Sequence, residues 1–278
     1  MENIKFERNT FGKRLASMLK VDFRRMLRSR AFYIIVASCL VAPILILVMT
    51  TMMDGTVTVD PQTGKETVTE GFDNVWQIIG SVSGEEASTD AGAAGAMSLT
   101  SMCNINMLYF AISVLVCLFV ADDFRSGYSK NLFTVRAKKS DYVISKTVVC
   151  IFGGACMILA FFVGAMIGGA ICNGMLGLPF AIEGFTVGQL VLCMLSKLAL
   201  VSVFVPIYLA VSVFAKQKLW LSLIGSFAIA MLLFMMIPML TPLNTTVMLL
   251  GLCVGGGAIF SVALGAVSVL ILKNTSLV

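Results

Sequence analysis

Lys197 stands inside VLCMLSKLALVS, an apolar run with no acid beside it. An ammonium at the centre of a membrane span costs at least ~2.5–3.5 kcal/mol on insertion scales. Such a lysine snorkels to the membrane edge, pairs with another group, or lines a cavity that a substrate crosses. The other stretch with chemistry in it is Ala121–Lys146, ADDFRSGYSKNLFTVRAKKSDYVISK. It sets Arg125, Lys130, Arg136, Lys138, Lys139 and Lys146 against Asp122, Asp123 and Asp141, with Phe124, Tyr128, Leu132 and Phe133 interleaved. That mixture suits docking, because aromatic burial supplies affinity and charge supplies orientation.

Catalysis finds little to work with. The chain has no histidine, which removes imidazole base chemistry and histidine metal ligation together. Gly64-Lys65-Glu66 lacks the upstream glycine of a phosphate loop. Hydroxyl residues are plentiful, but no base accompanies them. The apolar runs contain no Asp or Glu, against a proton relay or intramembrane aspartyl proteolysis. The expectation is a protein that is not an enzyme, with no catalytic residue, no metal site and no cofactor. The eight cysteines lie in or at the ends of apolar runs without a CxxC and read as packed small hydrophobes. A Cys103–Cys172 disulfide near the outer face is left open.

The elements that position these residues follow from composition. Of 278 residues, 58% are hydrophobic and 13% charged, against about 25% charged in soluble domains. A helical span needs roughly 20 apolar residues. Six runs qualify: Ala31–Thr51, Cys103–Ala121, Val143–Cys172, Val187–Ala215, Leu219–Leu240 and Thr246–Leu272. They are continuous rather than alternating, so the expected fold is all-α, a polytopic membrane protein with six transmembrane helices. Nine of the 20 Lys/Arg lie in residues 1–30, six in Arg125–Lys146, and Lys216, Lys218 and Lys273 follow. By the positive-inside bias both termini are cytosolic. The chain then divides into a cytosolic segment, 1–30, and a six-span domain, 31–278, with an external segment at 54–101 and a cytosolic loop at 122–142.

Within that frame, Phe11–Arg30 reads as an amphipathic helix whose basic face attracts anionic lipid. Phe72, Val75, Trp76 and Ile79 recur at i, i+3, i+4, i+7 and predict a short helix on the outer surface, with Trp76 at the lipid interface. The external segment is either a passive loop or a lid or re-entrant helix over an exit path. Ser140 is placed to cap the third span, with Asp141 in its first turn. Gly164-x-x-x-Gly168-Gly169 permits close helix approach, and Gly251, Gly255, Gly256, Gly257, Ser261 and Gly265 repeat such a stripe in the last span.

A basic amphipathic helix, six spans, and a charged segment between the second and third resemble the ABC-2 family of permeases, the membrane subunits of bacterial ABC exporters. Small permeases of peptide-antibiotic export and immunity are the nearest in pattern. Asp123, Arg125, Gly127, Arg136 and Lys146 stand where those proteins carry an acid, an Arg, a Gly, a basic stretch and a Lys, with Asp123 replacing the more usual Glu. The resemblance implies a plasma-membrane permease that exports an amphipathic peptide, lipid-like molecule or drug. It also implies a separate cytosolic ATPase and a second permease copy or a related permease, with lipid around them and no nucleic acid. Asp123, Phe124, Arg125, Gly127, Tyr128, Lys130, Leu132, Phe133 and Arg136 would couple to the ATPase, and Lys197 would face the substrate path. The alternative is a non-transporting sensor or scaffold that uses the external segment.

Overall fold

The computed structural model describes residues 11–54, 57–59, 66–68, 71–72, 74–80, 104–134, 138–180, 187–215, 218–234 and 245–274. Helix α1 (Phe11–Arg28) breaks at Ser29, which is extended (φ −73°, ψ 125°), and α2 (Arg30–Met53) begins immediately after it. Two three-residue strands, β1 (Val57–Val59) and β2 (Glu66–Val68), pair antiparallel with Val57 opposite Val68. This hairpin is the one departure from helix among the described elements, apart from a 3-10 turn at Val75–Ile78. Then come α3 (Met107–Arg125), α4 (Tyr128–Thr134), α5 (Lys139–Leu176), α6 (Val187–Ala215), α7 (Leu219–Phe234) and α8 (Val247–Asn274). The chain is an all-helical polytopic membrane protein.

Helices α2, α3, α5, α6 and α8 are each long and apolar enough to cross a membrane. The predicted fifth span is helical over 16 residues as α7, and residues 235–240 lie outside the described part. At about 1.5 Å per residue, α5 runs about 57 Å, well beyond the ~30 Å apolar core of a bilayer. It ends at Gly177, whose left-handed φ of 72° an L side chain adopts poorly.

Helix α5 is the spine, touching α1, α2, α3, α6 and α8. Two of its small residues set the approach of α2. A Cβ on Gly164 would lie 2.1 Å from the Leu40 carbonyl oxygen, and one on Gly168 would lie 2.9 Å from the Ile44 Cα. The expectation for this glycine pair holds. In α8 the stripe divides: Gly257 is pressed against Ser202 of α6, while Gly251, Gly255 and Gly256 meet nothing within 4 Å. Short α7 is held by a buried polar knot. Cys117 of α3 lies 3.1 Å from the Ser222 hydroxyl and 3.3 Å from those of Ser212 and Ser226.

At the end of the bundle away from α1, the 75–79 segment differs from its expectation. It forms a single 3-10 turn, and Trp76 is buried in protein rather than lying at a lipid surface. Its indole N–H donates to the Phe180 carbonyl at 2.7 Å, and its ring meets the Phe180 ring edge-on. Spacing predicted the one-sidedness correctly. The apolar side found α5 and the chain after it, and the buried indole found an acceptor as buried indoles must. Cys172 is free, and Cys103 lies outside the described residues.

Candidate functional site

Helix α1 turns Met18, Asp22 and Met26 inward at four-residue spacing. The outer two are apolar, so the helix buries a carboxylate in the middle of its packing stripe. A buried charge persists only when it is paired and hydrogen-bonded. The partner is Lys146, one turn into the part of α5 that the bundle buries. Its Nζ lies 2.9 Å from Asp22 Oδ1 and 2.6 Å from Asp123 Oδ2, and all three side chains have 0% exposure.

The remaining lone pairs are also occupied. Ser145 donates to Asp22 Oδ2 at 2.6 Å, and the Tyr142 hydroxyl donates to Asp123 Oδ2 at 3.0 Å. Arg25 Nη1 reaches Asp123 Oδ1 at 2.5 Å, and Nη2 reaches Asp122 at 3.2 Å. The Lys146 ammonium sits 3.9 Å from the Phe119 ring centre, and the Arg25 guanidinium sits 4.1 Å from that of Tyr128. Burial works against the Arg25 charge, but Asp123, with Tyr128 and Asp122, outweighs it and raises its pKa above the ordinary arginine value. Burial raises the Tyr128 pKa, with Asp22 adding to it, so the phenol stays neutral. Two inner carboxylates against two cations leave the cluster neutral at its centre. Four segments meet in it: α1, the end of α3, α4 and the start of α5.

Two further contacts fasten the same end. Arg14 pairs with Asp141 at 3.3 Å, and Lys139 donates to the Leu272 carbonyl in the last turn of α8 at 2.5 Å. The predicted Ser140 cap is not formed. Lys138 takes the capping position before α5, and Ser140 donates instead to the Asp141 carboxylate.

These contacts sort the residues expected to meet an ATPase. Asp123 and Phe124 are buried, so they hold the loop rather than present a surface. The reason is local: the last turn of α3 still packs against the bundle, and Asp123 is drawn in by two cations. Gly127 has φ 69° and turns the chain from α3 into α4. Tyr128 is half-buried under Arg25, and Leu132 and Phe133 pack partly onto the core, Phe133 edge-on to Tyr142 at 5.5 Å. Arg136 lies outside the described residues. Arg125, Lys130 and Lys138 are exposed, with no ion-pair partner among the described residues. Asp22, Arg25, Tyr142 and Ser145 were not singled out by sequence. An acid flanked at i−4 and i+4 by buried methionines is the signal that marks Asp22.

Lys197 lies apart from this cluster, in the middle of the bundle. It is 1% exposed, so it neither snorkels nor lies at a face that a second copy covers. The Tyr109 hydroxyl donates to its backbone carbonyl at 3.3 Å, while its Nζ has no hydrogen-bond partner among the described residues. Burying an amine without a partner costs folding free energy. Lys197→Met should raise stability by about 1–3 kcal/mol, the usual cost of an unmatched buried polar group, read as a higher midpoint of thermal unfolding in detergent. A lower midpoint would mean that the amine is satisfied in the folded protein.

A family model described as ABC-2 family transporter protein matches residues 18–232, from the inward stripe of α1 to within α7. No curated protein and no solved structure matches the chain at a significant level.

Proposed function

Since the chain belongs to the ABC-2 family of transporter proteins, we propose that it is the permease of an ATP-driven exporter and that its locked, charged end receives movement from a separate ATPase. The supporting observation is the division of charge in Ala121–Lys146. Asp122, Asp123, Asp141, Lys139 and Lys146 are bound within the chain, whereas Arg125, Lys130 and Lys138 point outward. A lever needs both kinds of group: an internal lock that makes α1, α3 and α5 move together, and outward cations that meet an acidic surface. On this reading the chain lies in a bacterial plasma membrane with its charged end cytosolic, an orientation that the excess of Lys and Arg there supports. Two permease subunits, identical or related, enclose the path. The cargo is an amphipathic peptide or lipid-like molecule, since the spans carry no acid to bind a cation.

The paired substitution Arg125→Glu with Lys130→Glu tests this reading. Both residues are exposed, so the chain should insert and fold normally. Co-purification of the ATPase should fall about tenfold or more, because two attractive charges become repulsive. Unchanged recovery of the ATPase would remove this surface from the docking site.

A further inference from the structure

A second feature lies beside the lock. Where α1 turns into α2, a cleft of about 440 Å³ opens against α3. Its rim is polar, carrying Arg25, Arg28, Ser29 and Asp122, and its wall is apolar, formed by Phe32, Ile35, Leu115, Leu118 and Phe119. Asp122 shares Arg25 with the buried Asp123 and keeps an uncompensated negative charge at the mouth. Arg28 is exposed, makes no ion pair among the described residues and offsets the Asp122 charge without being held by it. Exposed Arg24 and Arg30 then make the surroundings of the mouth net positive.

We propose that this cleft binds one anionic glycerophospholipid, with its phosphate on Arg28 and an acyl chain along the α2–α3 wall. The charge pattern selects the occupant. A soluble anion has no use for five apolar residues, and a zwitterionic lipid gains less from an unpaired guanidinium. The position agrees, because α2 and α3 are both membrane-crossing helices and the cleft lies at their charged ends. The cleft also shares Phe119 and Arg25 with the lock, so a bound lipid would touch the cluster that joins α1 to α5.

The experiment is native mass spectrometry of the full-length chain in detergent, titrated with phosphatidylglycerol, phosphatidylcholine or inorganic phosphate. Wild type should retain one phosphatidylglycerol in preference to phosphatidylcholine. Arg28→Gln should weaken phosphatidylglycerol about fivefold, the usual effect of one arginine at an anionic surface. Arg24→Gln, which removes part of the surrounding field but no lining residue, should weaken it less than Arg28→Gln does. Leu118→Trp, which fills the wall, should weaken both lipids. Equal retention of the two lipids, or Arg28→Gln and Arg24→Gln behaving alike, would overturn the site. So would phosphate competing at the same concentration as the lipid while Leu118→Trp has no effect, since that describes an anion site. Binding is read directly, so the result does not depend on whether the chain transports anything.

Discussion

Replacing Lys146 with methionine should cost about 3–5 kcal/mol, the loss expected when one partner of a buried ion pair is removed. Two fully buried carboxylates, Asp22 and Asp123, would lose their shared cation. Arg25 still reaches Asp123, but Asp22 keeps only the Ser145 hydroxyl. Helix α1 should therefore leave α5, because its inward stripe would carry an unpaired charge. Thermal unfolding in detergent and tryptic cleavage within α1 measure the two consequences. Lys130→Met, at an exposed site, should change stability by less than about 0.5 kcal/mol. Asp22→Asn introduced into Lys146→Met should recover part of the loss, since the two sites are coupled. Wild-type melting and protease resistance in Lys146→Met would mean that the cluster does not hold α1.

Gly164→Leu should have the next largest effect. The Cβ alone would lie 2.1 Å from the Leu40 carbonyl oxygen and 2.7 Å from the Pro43 ring. A backbone oxygen cannot rotate away, so α2 and α5 must separate along their length. Overpacking of this kind costs about 1–3 kcal/mol, and the collision with backbone puts this site at the upper end. Gly251→Leu provides the contrast: a Cβ there meets nothing within 4 Å, and its effect should stay within about 0.5 kcal/mol. Folded yield by size-exclusion chromatography and the thermal midpoint separate the two. Equal effects at both positions would contradict the packing described for α2 on α5.

The spans were legible because twenty apolar residues in a row leave few alternatives to a membrane helix. What faces each span was not legible. Gly164 and Gly251 look alike as small residues in an apolar run, yet one meets a neighbouring backbone and the other open space. Spacing reports a face and says nothing of its partner. The same limit explains Trp76, whose one-sided pattern was read as a lipid contact and is a protein contact. Asp22 escaped because an acid in a basic amphipathic helix reads as one more solvated charge. Its position between Met18 and Met26 carried the information. Lys146 was visible as one cation of the charged stretch and as a match to the family pattern, but not as a buried residue, since a lysine at the mouth of a span is ordinarily a topology signal. Asp123 and Phe124 looked like loop residues because the charge pattern ends the span there, whereas the helix continues to Arg125.

The neutral cluster around Lys146 explains how a helix with a basic outer face can be fixed to the bundle. It also changes which substitutions are informative about coupling. Phe133 packs on Tyr142, which holds Asp123. A charge at 133 would therefore disturb the lock as well as any docking surface. Arg125 and Lys130 touch neither and report on the outside alone.

Site-specific photo-crosslinking tests the coupling account most directly. A benzoyl-phenylalanine at position 130, on the exposed side of α4, should crosslink to a cytosolic ATPase in native membranes. The yield should change when ATP is trapped on that partner. The same probe at position 251 should give no ATPase adduct. An ATPase that co-purifies with the chain but crosslinks equally from 130 and 251, or from neither, would contradict docking at the charged end.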